Sequence, residues 1–501
     1  MQEYYTKIAR EGSIIFSSQI VMMLINYLVA VIITRVLGAD GYGTYTLALS
    51  VVQIAAIFMG FGLGEAIVRY LPFYWAKGEN EKAYGLWKWI SKFLFINSLI
   101  LSATVYFLSD KIAVTFFNKP EISLLIKIMS LSYPFSIIGG IAGGYFRAKK
   151  NFFYPAVTNN IIVPGVKLLF AVILLLAGWG VYQWSAVYTI SLLCTAAVLF
   201  FFYKKKVEWK TKVTARPELK ELFNFSLPLW FSNLLPLILA QLGILFLGAY
   251  RTTEEVGVYK VYVFFASIVA VGMGSLAGIF YPVFSEVTAG NDKTEMSLLY
   301  QRVAKWYHLI TFTGGILIIS IGFWLVPLIF GKDYKISSPL LIYLIVGSHI
   351  FNGLTGPDGM ALKSMGWTKH ILYSSIISFA SNFGLSLLLV PEYGMNGAAF
   401  AGLISIALSH FYGLGVVKNK SDLKLFAKDS FYITGIGALI FISIIIINNY
   451  LITNNLLLQN LSSATVFIIF ILLIFYLKVL DKEDIYIIKK FKYKIGRTFN
   501  K

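Results

Sequence analysis

Long apolar runs, separated by short polar segments, dominate the sequence. An α-helix rises about 1.5 Å per residue, so about 20 apolar residues cross about 30 Å of hydrocarbon. Fourteen runs of that length predict an all-α polytopic membrane protein. We number them spans 1 to 14, and in chain order they cover 12–34, 42–68, 89–108, 122–146, 152–177, 182–203, 222–249, 256–283, 303–330, 337–362, 369–390, 394–416, 429–450 and 461–479.

The composition excludes a soluble protein. Apolar residues make up 58% of the chain and charged residues only 13%, against about 25% charged residues in soluble domains. The net charge of +19 would suggest a nucleic-acid partner if it formed one patch. It is instead distributed in short clusters between the spans, so we expect no nucleic acid.

The basic clusters predict the orientation, because Lys and Arg accumulate on the cytoplasmic side of membrane proteins. With both termini inside, 34 basic residues fall in cytoplasmic segments and 7 in outer ones. We therefore expect a multi-pass protein of the cytoplasmic membrane. The run after Glu11 is too long for a cleavable signal peptide. The basic tail at 481–501 is expected to lie on the inner leaflet as an interfacial helix or to be an unstructured end.

An internal repeat is visible at an offset of 214 residues. Gly41–Tyr45 then aligns with Glu255–Tyr259, and Gly180–Trp184 aligns with Gly394–Ala398. Six spans fill one period, which returns the chain to the same side and predicts two parallel lobes related by an axis along the membrane normal. The predicted divisions are an N-lobe at 1–206, a C-lobe at 221–418, extra helices at 425–480 and the tail at 481–501.

Parallel six-helix lobes are a transporter design, in which broken helices at corresponding positions mark the substrate pathway. Span 4 contains Pro134 and four glycines, and span 10 contains Pro357 and four glycines. The alternative is that the glycines only allow close helix packing. Kinking is favoured where proline is present.

Ionisable residues inside spans are candidates for function, because burying a charge in lipid costs at least about 3 kcal/mol. Lys167 lies near the middle of span 5, after Pro164, and is expected to face an internal cavity. Lys127 either contributes to that cavity or extends outward from span 4. Glu65 and Arg69 are spaced i,i+4 and predict an ion pair, with gating as a second role. Asp358, near the end of span 10, is expected to be partly solvated.

Amide side chains in the spans are further candidates for the cavity. Gln19 and Asn26 share a face of span 1, and Asn159 precedes Lys167 by two turns. Asn233 and Gln241 lie at similar depths in span 7. Hydrogen bonds between helices are an equally good account of such amides.

No motif for catalysis or for a cofactor is found. Gly331-Lys332 is followed by Asp333, so the chain has no nucleotide-binding loop of its own, and there is no H-E-x-x-H. Cys194 is the single cysteine. We therefore expect neither an enzyme nor a bound metal or cofactor.

The run Thr34-Arg35-Val36-Leu37-Gly38-Ala39-Asp40-Gly41-Tyr42-Gly43 and the end of span 2 at Ala66–Tyr70 resemble the polysaccharide transporter, or Wzx-type flippase, family of the multidrug/oligosaccharidyl-lipid/polysaccharide exporter superfamily. The resemblance implies two lobes around a cationic cavity, with Arg35 in a gating or structural role. It also implies that Lys167 meets the pyrophosphate of a polyprenyl-linked sugar. Some relatives bind Na⁺ through an acid in span 7, and none lies between Asn224 and Tyr250.

The resulting hypothesis is a flippase that moves a lipid-linked oligosaccharide to the outer leaflet by alternating access. Its expected partners are the lipid-linked oligosaccharide, membrane lipids, and glycosyltransferases and a polymerase of the same pathway. One alternative is a multidrug or lipid-II-type exporter of the same fold. A membrane polysaccharide polymerase or ligase is a second, disfavoured because no connection exceeds about 20 residues, too few for a catalytic domain.

Overall fold

The structure is a computed structural model that describes residues 2–207, 215, 218–290, 292–447, 465 and 467–474. Within these ranges it describes all side chains except those of residues 2–17, 232, 275, 278, 279 and 282. Most of predicted span 14 and the basic tail at 481–501 lie outside the described residues and stay predictions.

Every regular element in the described ranges is helical. Short 3-10 turns occur at Ile57–Met59 and Lys332–Tyr334, and a π-helical turn at Thr158–Ile162. The α-helices are Gln2–Ala56, Leu63–Ala76, Asn80–Phe117, Ile122–Ser130, Tyr133–Ala148, Phe153–Val157, Val163–Ala177, Val181–Lys206, Leu219–Tyr250, Thr253–Ala266, Ile268–Gly290, Lys293–Phe330, Leu340–Leu354, Asp358–Ser364, Thr368–Ser421 and Lys428–Ile446.

The helices account for the predicted spans 1 to 13. Ten are long and apolar enough to cross a membrane, or eleven when one bent pair is counted as a span. Two of these are interrupted by a glycine with positive φ, Gly38 (68°) and Gly394 (51°), a conformation that glycine adopts without strain. Counting each of these two interrupted helices as two spans raises the number of spans from eleven to thirteen. The multi-pass all-α fold is therefore confirmed, and the count of fourteen stays a prediction.

Spans 4 and 10 are both broken. Span 4 consists of Ile122–Ser130 and Tyr133–Ala148, with Pro134 in the first turn of the second helix, where its missing N–H costs nothing. Span 10 bends by 40° between Leu340–Leu354 and Asp358–Ser364, with Pro357 preceding the second helix. The first helices of the two spans have 9 and 15 residues, so the breaks lie at different depths of the two repeats.

The described chain divides into two compact units by its internal contacts. Unit 1 contains Met1–Val261, Ile329–Tyr334 and Leu385–Ala398, and unit 2 contains Tyr262–Leu328, Lys335–Gly384 and Ala399–Lys501. Span 7 and the start of span 8 thus belong to the same unit as spans 1 to 6. The lobe boundaries at 206 and 221 come from the sequence repeat, which this division does not test.

Each unit has its own apolar core. In unit 1, spans 2, 3, 4 and 6 meet around Ile67, Ile90 and Leu199, and the Trp87 and Tyr203 rings stack with centroids 5.2 Å apart. In unit 2, Phe284 and Leu362 lie in a core formed by spans 8, 9, 10 and 12. Burial of these side chains holds the spans of each unit together.

Candidate functional site

Lys167 lies in span 5, in the helix Val163–Ala177, and its side chain is partly exposed. Its Nζ atom is 5.6 Å from the centroid of the Tyr188 ring in span 6. Within the described part of the chain, no acidic side chain forms an ion pair with it. A ring at this distance stabilises a cation by about 0.5–2 kcal/mol, less than the several kcal/mol that desolvation of an ion costs. Lys167 is therefore a cation whose desolvation cost is not offset by any acidic partner among the described residues.

The π-helical turn Thr158–Ile162 directly precedes the helix that carries Lys167. Pro164 has no N–H to donate to the carbonyl of Asn160, four residues earlier, so the regular α-helical ladder cannot continue through this turn. π-helical turns inside α-helices are rare and are frequent at functional sites. Span 5 is thus irregular in a turn that ends five residues before its lysine.

Spans 5 and 1 are joined by a polar contact. Asn160 Nδ2 donates a hydrogen bond of 2.9 Å to Ser18 Oγ. Of the predicted cavity amides nearby, Gln19 and Asn159 are exposed and Asn26 is partly buried. The sequence predicts Asn159 as a cavity residue, whereas the neighbouring Asn160 makes the contact between the helices.

The two amides of span 7 differ in their surroundings. Asn233 is exposed. Gln241 accepts a 2.9 Å hydrogen bond from Ser50 Oγ and donates one of 3.0 Å to Gln53 Oε1. Gln241 therefore ties span 7 to span 2 through side-chain hydrogen bonds of the kind that stabilise helix pairs in membranes.

Lys127 is paired with an acid. Its Nζ lies 2.7 Å from Asp110 Oδ2, and Asp110 also accepts a hydrogen bond of 2.5 Å from Ser123 Oγ. Asp110 is exposed, near the end of the helix Asn80–Phe117. Of the two lysines considered for the cavity, Lys127 thus has a protein counter-ion, and Lys167 has none among the described residues.

The predicted pairing of Glu65 with Arg69 was wrong. Glu65 lies 3.7 Å from Arg147 of span 4. The Arg69 guanidinium instead lies 4.1 Å from the centroid of the Phe225 ring in span 7. Both groups are exposed, so a partner on another helix competes successfully with an i,i+4 pair worth about 0.5 kcal/mol at most.

Arg35 lies at the Gly38 end of spans 1 and 2 within unit 1. Its Nε donates a 2.7 Å hydrogen bond to the carbonyl of Ile329, and Tyr334 Oη donates one of 2.9 Å to the carbonyl of Gly38. Asp40 accepts a hydrogen bond from Thr253 Oγ1. These contacts give Arg35 a structural role in holding the segment 329–334 against span 1.

Lys119 joins the connection between spans 3 and 4 to the end of span 7. Its Nζ donates hydrogen bonds of 2.7 and 2.8 Å to the carbonyls of Gly248 and Arg251. Burial lowers the pKa of Lys119 from its ordinary value. A cation at the carbonyl end of a helix also interacts favourably with the helix dipole.

Asp358 is only 3% exposed, so the expectation of partial solvation was wrong. Its Oδ1 accepts a 2.9 Å hydrogen bond from His410 Nδ1 of span 12. A separation of 52 residues gives no indication in the sequence that these two side chains meet. The described residues contain no group of three or more His, Cys, Asp or Glu side chains able to hold a metal ion.

A multi-pass helical fold with two broken spans is typical of a membrane transporter, as is a lysine within a span that has no acidic partner among the described residues. Residues 8–288, more than half of the chain, match the family model described as "Polysaccharide biosynthesis protein". The chain belongs to this polysaccharide biosynthesis protein family.

Named relatives agree with this class. The chain is 23% identical over 327 residues to the succinoglycan biosynthesis transport protein ExoT of Rhizobium meliloti, a match that covers 65% of this chain and 63% of that protein, less than two thirds of its length. It is 22% identical over 404 residues to the probable low-salt glycan biosynthesis flippase Agl15 of Haloferax volcanii, covering 80% and 82% of the two chains. The family resemblance inferred from the sequence is confirmed, and both relatives are named for transport or flipping in glycan biosynthesis.

A solved structure shares the fold. The lipid II flippase MurJ in its inward closed conformation matches with a TM-score of 0.69 and 17% identity, covering 94% of this chain and all of that chain. At this identity the match concerns the fold alone.

Proposed function

We propose that the protein is a flippase that moves a polyprenyl-pyrophosphate-linked oligosaccharide from the cytoplasmic to the outer leaflet, for the synthesis of a surface polysaccharide or glycan. Transport proceeds by alternating access of the two lobes. The family membership and the names of the relatives support a glycan substrate. The proposed cycle uses no ATPase site within the chain.

Lys167 carries the substrate part of the proposal. A pyrophosphate cannot enter the hydrocarbon region unpaired at a tolerable cost, because an isolated buried charge costs far more than a hydrogen bond returns. An ammonium without a described acidic partner, held beside the Tyr188 ring, provides the opposite charge at the same depth. We propose that Lys167 binds the pyrophosphate, and that Gln19, Asn26, Asn159 and Asn233 face the sugar pathway.

The remaining candidates receive structural roles in the proposal. Lys127 is neutralised by Asp110, and Gln241 is engaged by Ser50 and Gln53. Neither is free to bind substrate without giving up a contact in the protein. Contacts at helix ends are made by Glu65, Arg69 and Arg35. In the proposal these contacts change when the spans move.

The proposed location is the cytoplasmic membrane with both termini inside, as the distribution of 34 inner and 7 outer basic residues favours. In this orientation the substrate enters from the leaflet where glycosyltransferases assemble it. It leaves toward the polymerase or transferase that uses it outside.

Complementation of a strain that lacks its own flippase tests the role of Lys167. Removing a hydrogen bond to a charged group costs about 1.5–3 kcal/mol, so Lys167→Ala should lower export at least about tenfold. Lys167→Arg should retain part of it, because the charge remains while the geometry changes. The matched control is Lys111→Ala, which removes one positive charge from an exposed position and should export normally.

The level of each variant in the membrane is measured beside export. If Lys167 were purely structural, Lys167→Ala would lower the protein level and leave the export rate per molecule unchanged. Normal export by a Lys167→Ala variant present at the wild-type level would refute the proposed site.

A multidrug exporter of the same fold is the second candidate. A cation in the pathway that has no acidic partner among the described residues repels cationic drugs, so Lys167 disfavours a multidrug exporter. Resistance to cationic dyes that is conferred by the wild type, and is increased by Lys167→Ala, would favour the exporter.

A further inference from the structure

A buried carboxylate and an imidazole meet at the break of span 10 in unit 2. Asp358 begins the short helix Asp358–Ser364, after the 40° bend. Its Oδ1 accepts hydrogen bonds from His410 Nδ1 at 2.9 Å and from Thr355 Oγ1 at 3.2 Å. The proposed path of the pyrophosphate makes no use of this pair.

Among the described residues, His410 is the only ionisable group that forms an ion pair with Asp358. Span 9 contributes Tyr300 and Tyr307, whose phenols are neutral at neutral pH. Tyr300 Oη donates a 2.7 Å hydrogen bond to the carbonyl of Thr355.

Among the described residues, no charged side chain of the other helices around the short helix forms an ion pair with Asp358 or His410. Span 12 presents Gly413, where a side chain would collide with Asp358 Oδ2. Span 8 contributes the apolar core residues Phe280 and Phe284. On the short helix itself, Lys363 is turned to the ring of Tyr281, with Nζ 4.8 Å from the centroid.

The pair changes its net charge when it binds one proton. An ionised Asp358 with a neutral His410 carries a net charge of −1, and protonation of the imidazole makes the pair neutral overall. Nδ1 already donates to Asp358, so the added proton resides on Nε2. A buried net charge costs several kcal/mol more than a neutral, hydrogen-bonded pair, so occupancy by the proton decides how well the short helix and span 12 stay together. The His410 side chain is 27% exposed, which lets water exchange the proton.

We propose that Asp358 and His410 form a proton-binding site that takes up one proton per transport cycle and couples it to movement of the helix Asp358–Ser364 against span 12. The existence of the site is independent of the substrate. Its coupling to transport rests on the proposed function.

Histidine NMR tests the site directly, because the full-length chain contains only 4 histidines and single His→Gln variants assign their signals. In the wild type, the ring nitrogens of His410 should titrate within the pH range over which the protein stays folded. In Asp358→Asn the midpoint should fall by about one pH unit or more, because the neighbouring negative charge is gone. His370, which contacts Tyr412 and Lys420 instead, serves as the internal control, and its signals should be the same in the wild type and in Asp358→Asn.

Two results would overturn the site. One is a His410 midpoint that is the same in the wild type and in Asp358→Asn. The other is a wild-type His410 that does not titrate in this range, which decides the question even when the variant fails to fold.

Coupling is measured in proteoliposomes with undecaprenyl-pyrophosphate-linked N-acetylglucosamine as the probe. A gradient of one pH unit, worth about tenfold for one proton, should shift the distribution of the probe between leaflets in the wild type by up to about tenfold. Asp358→Asn and His410→Gln should equilibrate the probe without this shift. A shift that persists in both variants contradicts the coupling. Failure of Lys167→Ala to affect the probe, with the His410 titration as expected, contradicts the proposed function and leaves the proton site intact.

Discussion

Gly43 and Gly257 lie against each other, although 214 residues separate them. A methyl group added to Gly43 would lie 2.8 Å from the Gly257 nitrogen, and one added to Gly257 would lie 3.0 Å from the Gly43 nitrogen. The same methyl groups would collide with the carbonyls of Thr253 and Ala39, which are also 214 residues apart. Corresponding positions of the two repeats thus contact each other reciprocally, as expected around a pseudo-twofold axis.

Replacing either glycine should weaken this crossing. Backbone atoms cannot move aside like a flexible side chain, so Gly43→Ala and Gly257→Ala should each lower the free energy of unfolding by about 1–3 kcal/mol. Thermal unfolding in detergent measures the effect. Gly140→Ala is the matched control, because nothing lies within 4 Å of its added methyl group, and it should be neutral or stabilising by about 0.5 kcal/mol. Equal stability of Gly43→Ala and Gly140→Ala would show that the two segments are not in contact.

Tyr188 should support Lys167 through its ring and not through its hydroxyl. Tyr188→Phe keeps the aromatic face, so export in the complementation assay should remain near the wild-type level. Tyr188→Leu removes an interaction worth about 0.5–2 kcal/mol and should lower export by about 2- to 30-fold. Loss of export in Tyr188→Phe, with the protein present at normal level, would point to the hydroxyl and against the cation–π contact.

The orientation can be checked by cysteine labelling in a Cys194→Ala background. Cysteines at Lys111 and Lys332 should react with a membrane-impermeant reagent added to intact cells, and cysteines at Lys77 and Asn419 should react only after the membrane is opened. All four positions are exposed in the structure, so differences report the side of the membrane. The opposite pattern would reverse the proposed entry and exit faces.

Features local in sequence were predictable, and contacts between spans were not. Lys167 stands out because a single charge interrupts a long apolar run, and Pro134 and Pro357 indicate where their spans break. The pairs Glu65–Arg147 and Asp358–His410 join different helices, and their residue spacing carries no signal for them. The i,i+4 rule gave Glu65 the wrong partner because its small energy does not outweigh packing of Arg69 on Phe225.

The π-helical turn at Thr158–Ile162 has a consequence for the geometry of span 5. In an unbroken α-helix, Asn160 and Lys167 would lie on one face, seven residues apart. The turn holds one residue more than an α-helical turn, which rotates the following helix by about 100° relative to the preceding one. Asn160 can therefore meet Ser18 of span 1 while Lys167 meets Tyr188 of span 6. In genetic terms the turn is equivalent to a one-codon insertion, so loss of one codon here would remove the added residue and turn the ammonium about 100° away from Tyr188.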